Sequence, residues 1–430
     1  MIRNEKMKGY KQMNTEELKR LNQELKQQWD AYLATPRKLN MTRGVPSDAQ
    51  LALCNEMLTC LKEDDYTAAN KTDCRNYGGL DGIPEMKQIF ADLLAIKQEQ
   101  VIVGGNSSLA MMFENVASNM SHGVRDGIPW QNQGQVKFLC PSPGYDRHFT
   151  ICKYFHIEMI PVAMGQDGPD MDFIEAAVAS DPMIKGIWCV PKYSNPTGIV
   201  YSDETVKRFA NLKPAADDFR IYWDNAYAIH HLYDSNAEIL DIIRLCEEAG
   251  NPNMPLVFAS FSKVSFAGAA VACIASSASN CDYIRKRLTA QTIGPDKLNQ
   301  LRHVRFFGDA AGVLEHMKQH TDILNPKFQL VADTLQQQLD GLDIATWTNP
   351  SGGYFVSFDA PEGCAKRIVE LCEQAGVALT PAGATYPNGN DTKDQNIRIA
   401  PTCPPLSELK EAMEIFCTAV KLAATEKYLG

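Results

Sequence analysis

The sequence predicts an α/β protein, with a large domain on a mainly parallel sheet covered by helices and a smaller α+β domain beside it. Three observations carry this. From about Lys62 to Ala310, short continuous apolar runs alternate with helical patterns, as strands buried on both faces require. Beyond Ala311 a long helical stretch gives way to strands and helices in mixed order. The composition is ordinary for a globular chain of 430 residues: 45% hydrophobic and 22% charged, with 15 Tyr, 17 Phe and 5 Trp for a large core. The expected division is 1–61, an N-terminal helix and arm joining the small domain, then 62–310, the large domain, then 311–430, the rest of the small domain.

The elements follow in order. From Asn14, the stretch TEELKRLNQELKQQWDAYLA puts Leu18, Leu21, Leu25, Trp29 and Leu33 on one stripe, and the Asn14/Glu17 pair has capping-box spacing. That predicts an amphipathic helix. Thr35 to Gln50 is rich in turn formers and reads as an extended arm outside any core. Strands are expected in QVIVGG (from Gln100), VKFLCP (from Val136), IKGIWCVP (from Ile184), FRIYWDN (from Phe219), PLVFASFS (from Pro255) and AVACIAS (from Ala270). A helix around Ala311 to Leu339 precedes ATWTNPSGGYFVSFDAP, a helix near Ala365 to Ala375, VALTPAG, NIRIAP and a last helix near Ser407 to Thr425.

Charge and cysteine content exclude several classes. The net charge of −10 argues against a nucleic-acid binder, which needs clustered positive charge. The Met1 to Tyr10 start has no apolar core of signal-peptide length, and no run reaches the roughly 18 apolar residues of a membrane span. A soluble, cytoplasmic protein is expected. The 13 Cys include no C-x-x-C pair and no Cys/His ligand spacing, so free buried thiols are expected and no metal site.

The chemistry lies in short motifs at strand ends, where open α/β sheets bind ligands. Lys263 closes Ser260-Phe261-Ser262-Lys263 after an apolar strand. Such a lysine is often a solvated surface residue, but one desolvated at the sheet edge becomes a nucleophile able to form a Schiff base. Asp224, in Trp223-Asp224-Asn225-Ala226-Tyr227, reads either as a helix cap or as a carboxylate paired with a ring nitrogen. Asn195, in Asn195-Pro196-Thr197-Gly198, reads either as a tight turn or as an amide holding a phenolic oxygen. Arg398, in Asn396-Ile397-Arg398-Ile399, offers a bidentate fork for a carboxylate.

Taken in order, N-P-x-G, D-x-A-Y, S-x-S-K and the late Arg resemble the class I, fold-type I pyridoxal-phosphate-dependent aminotransferases. Asn195, Asp224, Lys263 and Arg398 follow one another at 29, 39 and 135 residues, compatible with that fold. The resemblance implies that Lys263 bonds the cofactor and moves the proton, that Asp224 pairs the pyridine nitrogen, and that Asn195 and Tyr227 bind the phenolic oxygen. Arg398 and Asn195 would then bind the substrate's α-carboxylate. Gly104-Gly105-Asn106-Ser107-Ser108 matches the phosphate loop, so Asn106, Ser107 and Ser108 are expected cofactor ligands with Ser260 and Ser262. Tyr145 in Pro143-Gly144-Tyr145 matches the ring that stacks on the pyridine, and Tyr77 the tyrosine that reaches a neighbouring subunit's phosphate. A homodimer with shared active sites is thereby implied.

The wider pattern, from about Thr42 to Cys417, resembles a distinct bacterial branch of aspartate aminotransferases. It implies transfer of the amino group of L-aspartate to 2-oxoglutarate, with Arg43 and Gly44 of the arm near the substrate. Two departures stand out. Where many members carry a phosphate-neutralising arginine, this chain has Ala270, leaving Lys297 and Arg302 as candidates. Where the branch usually reads T-R-G-K-P, this chain has Val45, so the distal-carboxylate donor is open among Arg43, Arg75 and Arg147. Alternatives are another activity of the same cofactor, such as alanine/glyoxylate transamination or β-elimination, and an amino-acid-sensing regulator.

Overall fold

The computed structural model describes residues 9–233 and 237–430, so the segment Met1–Lys8 of the expected start lies outside the described residues. Its strands in chain order are β1 (Leu39–Met41), β2 (Val101–Val103), β3 (Lys137–Ser142), β4 (Glu158–Ala163), β5 (Ile184–Cys189), β6 (Arg220–Asp224), β7 (Pro255–Ser260), β8 (Ala272–Ala275), β9 (Thr346–Trp347), β10 (Val356–Asp359), β11 (Val377–Leu379) and β12 (Asn396–Ile399). Seven of them form the central sheet in the order β2-β8-β7-β6-β5-β3-β4. All neighbours are parallel except those of β8, which runs against both β2 and β7.

Why the strand runs are continuously apolar is visible in β6. Ile221 and Trp223 join the core on one face with Leu139, Ile187 and Val257, whereas Tyr222 joins Phe138, Trp188 and Phe258 on the other. Both faces are covered, so neither parity can be polar. Gly186 in β5 gives the Phe138 ring its room, since a Cβ there would lie 2.5 Å from that ring. One strand has no counterpart in the sequence reading. β4 sits at the sheet edge with half its residues exposed, and Pro161 within it removes a backbone donor that only an edge strand can spare.

The smaller core draws on both ends of the chain. Leu25 and Trp29 of the helix Thr15–Leu33 pack in one cluster with Phe328 and Leu335 of the helix Ala310–Leu339, with β10 and β12, and with Phe416 and Val420 of the helix Leu406–Leu429. Asn22 donates to Thr425 Oγ1 at 2.8 Å. The Asn14/Glu17 capping box is formed, with bonds of 2.9 and 2.7 Å. Leu33, expected on the apolar stripe, is 46% exposed in the last turn of that helix. The arm also departs from its reading. Leu39 and Met41 are buried, because β1 pairs in parallel with β11 and enters the small core.

Candidate active site

The chain delivers its candidate functional side chains at the carboxyl ends of β2, β3, β5, β6 and β7. Because β8 reverses direction, the β7–β8 connection turns back over the sheet edge, and it carries Lys263. A cavity of about 170 Å³ lies there, lined by Ser107, Ser108, Leu109, Tyr145, Val190, Asn195, Asp224, Ala226, Tyr227, Ser260, Ser262 and Lys263. Nine of those twelve are residues the sequence reading singled out. Lys263 Nζ lies 5.0 Å from the centre of the Tyr227 ring and 5.8 Å from that of Tyr354. Desolvation pushes its amine below the ordinary lysine range, against the opposing pull of Asp224.

Asp224 ends β6 and is 2% exposed. Its Oδ2 meets Nε2 of His148 at 3.0 Å, while its Oδ1 is buried with no hydrogen-bond partner. A buried carboxylate with one free oxygen strongly favours a cationic donor. His148 stacks on Trp188, with ring centres 4.5 Å apart, and meets Tyr145 edge-on at 4.9 Å. Burial holds the Tyr227 phenol well above its usual range, so it is a hydrogen-bond donor at neutral pH.

At one end of the cavity, Ser107 and Ser108 stand where the helix Ser108–His122 begins, opposite Ser260 and Ser262. Ser260 Oγ donates to Ser262 Oγ at 3.0 Å. Two hydroxyls at a helix N-terminus with two more across the cavity suit an anion, since the helix's first amides have no intrahelical acceptor. Ala270 is buried, and its carbonyl accepts from Asn299 Nδ2 at 2.9 Å. Alanine at this position brings no charge of its own.

Arg398 reaches the cavity through Asn195. Its Nη1 donates to Asn195 Oδ1 at 3.2 Å and to Asp146 Oδ1 at 2.9 Å, and its Nη2 to Thr380 Oγ1 at 3.4 Å. The Phe355 ring lies against the guanidinium, 4.8 Å from its carbon. Gly44 backs that ring, and a Cβ on it would fall 2.5 Å from Phe355 Cζ. Gly44 therefore supports the arginine indirectly.

Other expected residues stand apart from the cavity wall. Asn106 is exposed and donates to Gly268 O at 3.3 Å, while its own carbonyl accepts from Ser262 Oγ at 3.4 Å. Tyr77 is 79% exposed. Arg43 and Arg147 are exposed, and Arg75 pairs with Asp73 at 2.8 Å. Lys297 Nζ donates to Gly78 O at 2.8 Å, and Arg302 donates to Asn299 Oδ1. Sequence reasoning passed over His148, Asp146, Tyr354, Phe355 and Thr380. His148 had a usable signal, standing three residues after Tyr145 and thus on the same helical face.

The model of the aspartate amino-transferase family matches residues 13–430. A putative aminotransferase of Mycolicibacterium smegmatis is 51% identical over 396 residues, 91% of this chain and 92% of that protein. An aspartate aminotransferase of Corynebacterium glutamicum is 46% identical over 95% of this chain and 94% of its own. The crystal structure of an aspartate transaminase from C. glutamicum superimposes with a TM-score of 0.95 at 45% identity, covering 97% of this chain and 98% of that one.

Proposed function

The chain belongs to the aspartate amino-transferase family and is a pyridoxal-phosphate-dependent aminotransferase, and on that premise we propose that it moves the amino group of L-aspartate to 2-oxoglutarate. The residues present fit the cofactor. The free Oδ1 of Asp224 offers a partner to a protonated ring nitrogen, the four serines offer donors to its phosphate, and the Lys263 amine stands in the same cavity. Bound there, pyridoxal phosphate supplies an electron-accepting ring that takes up the electron pair released at the substrate's α-carbon.

The protein's own residues do the rest. Nζ of Lys263, which burial holds below the ordinary lysine range, accepts and returns a proton at the α-carbon. Asn195 accepts from Arg398 through Oδ1, which leaves its Nδ2 to donate to the cofactor's phenolic oxygen beside the Tyr227 hydroxyl. Tyr145 closes one face of the ring, and the Arg398 fork holds the substrate's α-carboxylate. The hydroxyls of Ser107, Ser108, Ser260 and Ser262 would donate hydrogen bonds to the phosphate, where an arginine is lacking at position 270.

The assignment rests on one observation above the others: Lys263 and the free oxygen of Asp224 share a cavity joined through Asn195 to an enclosed arginine. The same proposal includes a cytoplasmic homodimer, in which 1–61 and 311–430 form the small domain around 62–310. Exposed Tyr77 and Ile293 support a subunit contact, since Gly78 N donates to Ile293 O at 3.1 Å and brings the two together. All 13 Cys are free, as a reducing compartment keeps them. Incubation with aspartate and 2-oxoglutarate is expected to give oxaloacetate and glutamate, with cofactor absorbance shifting when aspartate alone is added. Conversion of aspartate to alanine and carbon dioxide, or to fumarate and ammonia, with no glutamate formed would defeat the assignment, and monomeric sedimentation would defeat the shared site.

A further inference from the structure

The guanidinium that serves as the substrate clamp already holds a carboxylate of the protein. Asp146 Oδ1 lies 2.9 Å from Nη1 of Arg398, on the nitrogen that also serves Asn195. The arginine has little freedom to turn elsewhere: its side chain is 7% exposed, Phe355 lies against it and Thr380 accepts from Nη2. Asp146 is freer, at 31% exposed. It is also the first residue of the helix Asp146–Tyr154, where unpaired backbone amides favour an acidic side chain. The aspartate thus keeps a stabilising environment without the arginine, whereas the arginine cannot leave the site.

A substrate carboxylate arriving at this fork meets a like charge on the same donor, and two carboxylates so close repel one another. We propose that Asp146 is a resident carboxylate that competes with substrate, holding Nη1 of Arg398 until a substrate carboxylate replaces it. Binding is then an exchange of one carboxylate for another. The exchange weakens every carboxylate held at the fork by the same factor, so that only anions with further contacts in the cavity bind well. This rests on the reading of Arg398 as the α-carboxylate clamp.

The test uses the pyridoxal-phosphate-loaded enzyme, titrated with propionate and with succinate at fixed ionic strength and followed by cofactor absorbance. Asp146→Asn and Asp146→Ser, the second a good helix starter, are expected to bind both anions about fivefold tighter than wild type. Asp172→Asn removes the same charge from a side chain 89% exposed in a surface ion pair, and is expected to change neither constant. Unchanged or weaker binding of propionate in both Asp146 variants overturns the proposal. If succinate binds wild type no better than propionate, the aspartate assignment fails instead, while the propionate ratio still decides the role of Asp146.

Discussion

Replacing Gly44 by alanine should disable the proposed substrate clamp without touching a polar group. The new methyl carbon would lie 2.5, 2.8 and 3.2 Å from three ring carbons of Phe355. Carbon atoms settle at about 3.5 Å or beyond, so the ring must retreat by about 1 Å. It cannot swing into solvent, being 6% exposed, and its other side bears on Arg398 at 4.8 Å. Gly44 has no left-handed backbone angle, so alanine adds bulk and no backbone strain. Overpacking of this kind costs about 1–3 kcal/mol of stability, and displacing a binding group by about 1 Å lowers kcat/KM by up to about 100-fold. Steady-state kinetics with aspartate and urea unfolding would read the two effects. Adding Phe355→Leu to the variant relieves the contact, so the double variant should lose less than the two single losses combined. Wild-type kcat/KM and an unchanged unfolding midpoint in Gly44→Ala would refute the steric reasoning.

Lys263→Ala is expected to abolish turnover while circular dichroism stays native. In the cofactor-free protein, the lowered pKa of Lys263 means that the folded state binds fewer protons than the unfolded one between that value and about 10.4. Stability should therefore rise with pH across that window, and Lys263→Met should flatten the rise in denaturant titrations at a series of pH values. His148→Phe strips the partner from Asp224 Oδ2 and is expected to weaken cofactor binding by about tenfold or more, measured by dialysis and absorbance. Asn14→Ala removes the acceptor of a 2.9 Å capping bond and should lower stability by about 1 kcal/mol, with kcat unchanged.

The parts legible in the sequence share one property: their signal is local. β3, β5, β6 and β7 are short apolar runs ending in polar residues, and the side chains just beyond them, Tyr145, Asn195, Asp224 and Lys263, necessarily fall at one sheet edge. The capping box at Asn14 is likewise a matter of spacing. Partnerships across the chain left no such mark. Gly44 is legible as a glycine, but its use depends on Phe355, more than 300 residues away. Arg398 is paired with Asp146, 252 residues before it. β1 read as part of an irregular arm because three residues carry too little pattern to reveal a partner in β11. β4 was hidden by a proline that its edge position tolerates.

The bond between Asn22 and Thr425 spans 403 residues, and its consequence is felt during synthesis. The first helix leaves the ribosome early, yet the surface it packs on is completed only by the last helix made. At about 5–20 residues per second, its apolar stripe waits roughly 20–80 s for that partner. The large domain has its whole sheet, from β2 to β8, well before then. Assembly on the ribosome therefore runs from the proposed cofactor cradle outward, and the proposed substrate clamp, which needs Arg398 from the final strand, is the last part of the enzyme to exist.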